Sequence, residues 1–335
     1  MGTPFLTPAG AGPVVADRAP QGSGVREQVH RYLDYLALER GLASNSVSAY
    51  RRDLRRYTEH LTATGVGTLA DVGEREVAGF LDVLRAGDGR HAPLAAASAA
   101  RAVVTVRGLH GFAHREGLVE EDVSRPIRPP SAPPRTPKTL TSAEVEALIR
   151  ATEPPAGAAP GRVALSLRDR ALIEILYGAG ARISEAGGLD VADLSVGDRG
   201  CPAVRLTGPG GRARVVPLGD QARAALRAYL HRGRPLLVSS RLPALFLSVR
   251  GRRLSRQAAW LVLRGTAKRA GLGTDVSPHV LRHTCADHLL AGGADDRVVQ
   301  ELLGRGSGSV APVSLLVTPD HLREVYLAAH PRAHK

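Results

Sequence analysis

Cysteine is nearly missing from this chain. Cys201 and Cys285 are the only two among 335 residues. Two thiols make no disulfide framework, and Cys285 falls on an apolar helix face. The chain is therefore expected in a reducing, cytoplasmic compartment. No apolar run reaches the length of a membrane span, and the first residues lack the apolar core of a secretory leader. No cluster of His, Cys, Asp and Glu has metal-ligand spacing, and no phosphate-binding glycine loop of the nucleotidase kind is present. No metal and no cofactor are expected. There is no internal repeat. Aromatic residues contribute only 4%.

Positive charge is in excess. Lys and Arg number 45 against 32 Asp and Glu, a formal net charge of +13. Most of the cations are arginine, whose planar guanidinium suits bidentate phosphate contacts. The excess favours a polyanionic partner. The scarcity of aromatics excludes rows of base-stacking platforms, so the partner is expected to be a double-stranded rather than a single-stranded nucleic acid.

The chain divides by composition. Residues 1–24 are rich in Gly, Pro and Ala without periodicity and read as a disordered tail. Residues 25–124 read as a four-helix domain. Its first helix, Val25 to Glu39, offers Val29, Tyr32, Leu33 and Leu36 to a core. Its second, opened by Ser44-Asn45, repeats Val47, Tyr50, Leu54, Tyr57 and Leu61 at helical spacing. Arg51, Arg52, Arg55 and Arg56 are read as lying off that face. A third helix runs from Glu76 to Arg85. A fourth, Ala95 to Glu116, carries Arg101, Arg107, His110 and Arg115. Residues 125–138, RPIRPPSAPPRTPK, form a proline-rich linker.

Residues 139–335 read as a second, mostly helical domain. Thr141 and Glu144 predict a capping box. Helices are predicted at Ser142 to Ala151, Ser166 to Tyr177, Arg182 to Gly187, Asp220 to Leu230, Ser255 to Ala270 and onward from His279, with a last one from Asp320 to His330. Ala203 to Thr207 and Arg212 to Leu218 predict a β-hairpin turned at Gly208-Pro209-Gly210-Gly211. Phe246-Leu247-Ser248 predicts a short extra strand. The fold class is mainly α with a small β element, in two domains.

Two stretches carry chemistry. In SPHVLRHTCADHLLAGGADDRVVQELLG, Ser277-Pro278 marks a helix start. His279, Arg282 and His283 follow at spacings that group them on one helical face. Imidazole and guanidinium near a helix N-terminus suit an anion. In YGAGARISEAGGL, Arg182 follows a glycine turn directly and precedes Ser184 and Glu185. A guanidinium on such a corner is well fixed.

The pair A-R-I-S-E and S-P-H-V-L-R-H, with L-L-G beyond it and A-H-P-R-A at Ala329 to Ala333, resembles the tyrosine site-specific recombinases of the phage-integrase family, nearest to their Xer type. The resemblance runs from Val25 to the end of the chain. It implies the two-domain recombinase architecture, a helical core-binding domain followed by an α+β catalytic-type domain. It also implies DNA binding, site-specific recombination or integration, and a role in chromosome partition through dimer resolution. Members act as tetramers on DNA, as homo- or hetero-oligomers with another recombinase subunit, and the last helix docks on a neighbour. They break and rejoin DNA through a tyrosine that attacks one phosphate.

In such a protein Arg182 and Arg282 match the two phosphate-clamping arginines, His279 the first histidine, and Glu185 an accessory acid, with His283 beside them. Arg51, Arg52, Arg55, Arg56, Arg101, Arg107, Arg212 and Arg214 would meet the DNA backbone. Three positions depart from the pattern. The lysine of the hairpin turn is Pro209, the third-box histidine is Arg305, and the nucleophilic tyrosine is Ser314. Tyr326, in the last helix, reads as a packing residue. These departures predict a DNA-binding recombinase impaired in cleavage. The rival readings are an active recombinase with a non-standard or partner-supplied nucleophile, and a DNA-binding regulator outside recombination.

Overall fold

The computed structural model describes residues 24–42, 44–131, 138–195, 202–208, 211–238, 242–273, 275–304 and 318–334. The chain splits into two compact units, Met1–Pro134 and Arg135–Lys335. Residues 1–23 of the tail, the centre of the linker, and Cys201, Pro209, Arg305 and Ser314 lie outside the described residues.

Among the described residues, four α-helices build the amino-terminal unit: α1 (Val25–Asp34), α2 (Ser44–Ala63), α3 (Glu74–Ala86) and α4 (Ala96–Arg115). The turns of α1 continue as a π-helical segment, Tyr35–Glu39. The apolar positions spaced three and four apart are the ones that bury. Leu54, Tyr57 and Leu61 of α2 meet Val103, Val106 and Leu109 of α4 in one core with Phe80 and Leu84 of α3. Ser44 is the first residue of α2 rather than its cap.

The carboxy-terminal unit is arranged around α6 (Pro160–Gly178), which follows α5 (Ser142–Arg150). Thr141 and Glu144 close the predicted capping box over α5. From Ala171 to Gly178 every residue of α6 is buried, the mark of a helix covered on all sides. It begins at Pro160, six residues before the sequence suggested, because a proline in the first turn needs no donor.

After α7 (Ile183–Gly188) comes a three-stranded antiparallel sheet, β1 (Leu194–Ser195), β2 (Ala203–Thr207) and β3 (Ala213–Pro217), in the order β1-β2-β3. The hairpin register pairs Ala203 with Pro217 and Thr207 with Ala213. Then follow α8 (Asp220–Ala228), α9 (Arg234–Leu237), α10 (Arg256–Arg269), α11 (Pro278–Ala291), α12 (Asp296–Leu303) and α13 (Pro319–Ala329). The strand expected at Phe246 to Ser248 is only an isolated bridge, Leu247 with Arg253. Among the described residues no helix is long and apolar enough to cross a membrane.

Candidate phosphate-binding site

Arg182 sits in extended conformation at the N-cap of α7. The preceding corner depends on Gly180, whose φ of +54° favours glycine. A Cβ there would also stand 2.4 Å from Leu303 Cδ2. Glu185, one turn on, holds Arg182 at two points. Its Oε2 accepts the Arg182 backbone N–H at 2.8 Å, and its Oε1 accepts from the guanidinium at 2.8 Å.

Ser277 caps α11 by accepting the Val280 N–H, with Pro278 at the first helical position. The three basic residues of α11 differ in setting. His279 is exposed and His283 half-buried, and their Nε2 atoms lie 2.9 Å apart in a shared hydrogen bond. Arg282 is buried at 4% exposure beside Leu281 and Cys285. It donates to the Gly180 carbonyl at 2.6 Å and to the Leu303 carbonyl. The guanidinium is thus fixed between the α6–α7 corner and the end of α12.

One cleft of about 680 Å³ collects Arg182, His279 and Arg282 with Ile183, Arg256, Gln257, Trp260, Ser277 and Pro278. Arg256, Gln257 and Trp260 of α10 were not singled out from the sequence. Their signal is present there: the only tryptophan of the chain has Arg256 and Arg264 at i±4. Arg264 lies over the Trp260 ring at 5.1 Å.

Glu185 is the electrostatic centre behind the cleft. Burial alone would raise its carboxyl, but hydrogen bonds from Arg214 and Arg182 outweigh burial and hold it below the ordinary range. It therefore stays an anion and serves as an acceptor, not as an acid. Arg214 was expected at the DNA backbone. Its guanidinium instead donates to both Glu185 oxygens, at 2.8 and 2.9 Å, and to the Leu302 carbonyl at 2.9 Å. Arg212, nearer the hairpin turn, is exposed.

Tyr326 is 1% exposed and donates to the Gly178 carbonyl at 3.0 Å. Burial raises its pKa well above the ordinary phenol value. It is a packing residue of the α6–α13 contact. Here α13 lies against α11, α12 and β3 of its own chain.

In the amino-terminal unit Arg51, Arg52 and Arg55 are exposed, as their place off the apolar face of α2 requires. Arg56 departs from that row. It is 8% exposed and donates to the carbonyls of Val83, in the last turns of α3, and of Ala92, in the α3–α4 connection. Arg101 is exposed but bidentate to Asp53 at 2.8 and 2.9 Å, and Arg107 is half-buried. His110, on the same helix as Arg101 and Arg107, is fully buried and shares a 2.8 Å hydrogen bond with Tyr57. Among the described residues no group of three or more potential ligands could hold a metal.

Comparison with known proteins matches this chain to the phage integrase family over residues 138–311 and to the phage integrase N-terminal SAM-like domain over residues 29–117. The first match ends short of Ser314. The chain is 53% identical over 310 residues to the tyrosine recombinase XerD of Mycobacterium tuberculosis, covering 91% of this chain and 98% of that one. It is 51% identical over 318 residues to the XerD of Mycobacterium leprae, covering 93% and 99%. Among solved structures, the XerH site-specific recombinase bound to its difH substrate superposes with a TM-score of 0.66 at 19% identity, covering 95% of this chain and 96% of that one. A lambda integrase tetramer bound to a Holliday junction superposes at 0.64 and 19%, covering 88% and 81%.

Proposed function

Because this chain belongs to the phage integrase family as a Xer-type tyrosine recombinase, we propose that its cleft seats one phosphate of a DNA duplex during site-specific recombination, and that the chain alone does not complete strand cleavage. The observation that carries the first half is the convergence of Arg182, His279 and Arg282 on one cleft from elements far apart in sequence. Guanidiniums can clamp the non-bridging oxygens of a phosphodiester as charge builds on them. The exposed His279 imidazole can donate a hydrogen bond to the phosphate or accept a proton. Glu185 fixes the direction of Arg182 through its two contacts.

The second half rests on residue chemistry. Transesterification needs a nucleophile in line with phosphorus and an acid for the leaving 5′ oxygen. Pro209 has no proton to give. Serine at 314 reaches less far than a phenol, and its hydroxyl is less acidic than the ~10 of tyrosine. Arg305 retains hydrogen-bond donors but cannot act as an acid, with a pKa above ~12. The burial of Tyr326 supports its exclusion as a substitute nucleophile.

In this reading residues 25–124 and 139–335 are the core-binding and catalytic-type domains, joined by the linker at 125–138. Exposed Arg51, Arg52 and Arg55 add phosphate contacts. The lambda integrase solved on a Holliday junction is a tetramer. A cleavage-impaired chain in such an assembly is a silent partner to active subunits.

Fluorescence anisotropy with a labelled duplex carrying candidate sites tests the DNA half. Binding should weaken steeply as salt rises, since each neutralised phosphate releases counterion. Arg182→Ala and Arg282→Ala should each weaken it further. Binding that ignores salt, or that both variants retain in full, would contradict the reading.

A further inference from the structure

Three successive carbonyls at the end of α12 are held by three different arginines. Leu302 accepts from Arg214 Nε at 2.9 Å, Leu303 from Arg282, and Gly304 from Arg182 at 3.5 Å. The last carbonyls of a helix lack partners within it and carry the negative end of its dipole, so cations gather there. The same three arginines surround Glu185. Arg182 and Arg214 bond it directly, and Arg282 approaches to 4.0 Å. Gly304 packs against the Arg214 stem. A Cβ at that position would meet Arg214 Cδ at 3.1 Å.

The arginines are not equivalent. Arg182 and Arg282 line the cleft, and Arg214 does not. The Arg214 side chain is 12% exposed and turned to Glu185, whose side chain is 1% exposed. A buried carboxylate draws the nearest cation strongly. With Arg214 forked over both its oxygens, Glu185 is neutralised from behind. Without that fork, Arg182 would be the nearest remaining partner, and Glu185 would compete with any anion in the cleft.

We propose that Arg214 is a positioning residue for the cleft: by pairing with both oxygens of Glu185 and anchoring the end of α12, it keeps Arg182 directed at the bound phosphate. This inference rests on the reading of the cleft as a phosphate site.

The test uses the full chain with inorganic phosphate as the probe. Trp260, the only tryptophan, lines the cleft and reports occupancy by its fluorescence. Arg214→Met should weaken phosphate binding about ten-fold, the scale of one charge-assisted hydrogen bond. Adding Glu185→Gln removes the competing charge but leaves an amide oxygen that can still accept from Arg182, and should bring affinity back to within about three-fold of wild type. A group touching phosphate directly, or one needed only for folding, would not be rescued in this way.

A folded Arg214→Met variant that binds as wild type overturns the proposal. So does a double variant that stays as weak as the single one. If Arg214→Met does not fold, the double variant is compared with wild type directly. Affinity within that three-fold window supports the proposal, and weaker binding overturns it. Arg182→Ala separates the two layers. If it binds phosphate as wild type, the cleft reading fails and the inference falls with it. If it loses binding while Arg214→Met keeps it, the positioning role alone is wrong.

Discussion

The hydroxyl of Tyr326 caps the last carbonyl of α6, donating to Gly178 at 3.0 Å from a fully buried ring. The ring also stacks on His330, with centroids 4.8 Å apart. The only tyrosine near the C-terminus is thus tied to the structure. Tyr326→Phe keeps the stack and leaves the Gly178 carbonyl without its donor. It should destabilise the chain by about 1–2 kcal/mol, read by urea unfolding. It should change no reaction with DNA. An unfolding midpoint equal to wild type would mean the hydrogen bond contributes nothing.

The arginines of the amino-terminal unit should separate into two kinds. Asp53 is 6% exposed, and Arg101 is its partner at two points. Arg101→Ala leaves a buried carboxylate unpaired and should cost about 2 kcal/mol of stability. Arg51→Ala and Arg52→Ala should stay within about 0.5 kcal/mol of wild type. Each should reduce the salt slope of duplex binding by ~0.9 for every phosphate it no longer neutralises. Thermal unfolding and salt-dependent anisotropy on the same variants check both. An Arg101→Ala chain as stable as wild type would remove the structural role.

The helix faces of α2 and the two arginine motifs were legible because both are local patterns. Val47, Leu54, Tyr57 and Leu61 repeat at helical spacing and bury together. Arg182 and Arg282 each follow a cap or a glycine turn. Arg56 was not legible, because its environment is made by carbonyls of Val83 and Ala92, distant in sequence. The setting of Arg214 was hidden for a related reason. Period-two alternation gives Arg212 and Arg214 the same face of a strand, and only the tertiary fold sets Glu185 and α12 against one of them. His110 looked like a basic residue among arginines, and the packing of Tyr57 of α2 against α4 turned it inward.

Stability should fall on mild acidification. Burial pushes the His110 imidazole down to about 4 and that of His330 down to about 3, from an ordinary 6.5. The unfolded chain therefore binds more protons than the folded one between these values and 6.5. The contribution of each neutral histidine is full above 6.5 and is lost as pH falls through that window. At pH 5 the loss should be about 2 kcal/mol per histidine. Urea unfolding at pH 7 and pH 5 measures it, and His110→Phe should flatten the dependence of the amino-terminal unit. A pH-independent midpoint over this range would show that neither imidazole is kept neutral by the fold.

The central claim is that this chain seats a DNA phosphate and does not cut beside it. The direct measurement uses a nicked suicide duplex carrying candidate sites, incubated with wild-type protein and resolved under denaturing conditions. Wild type should bind the duplex and form no adduct that survives denaturant. The absence of a leaving-group acid alone slows cleavage by roughly 10²–10⁴. A variant carrying Ser314→Tyr, Pro209→Lys and Arg305→His together should gain the adduct, since it supplies nucleophile, acid and third ligand to a cleft already formed. A denaturant-stable adduct with wild type, abolished by Ser314→Ala or Tyr326→Phe, would contradict the account and name the nucleophile.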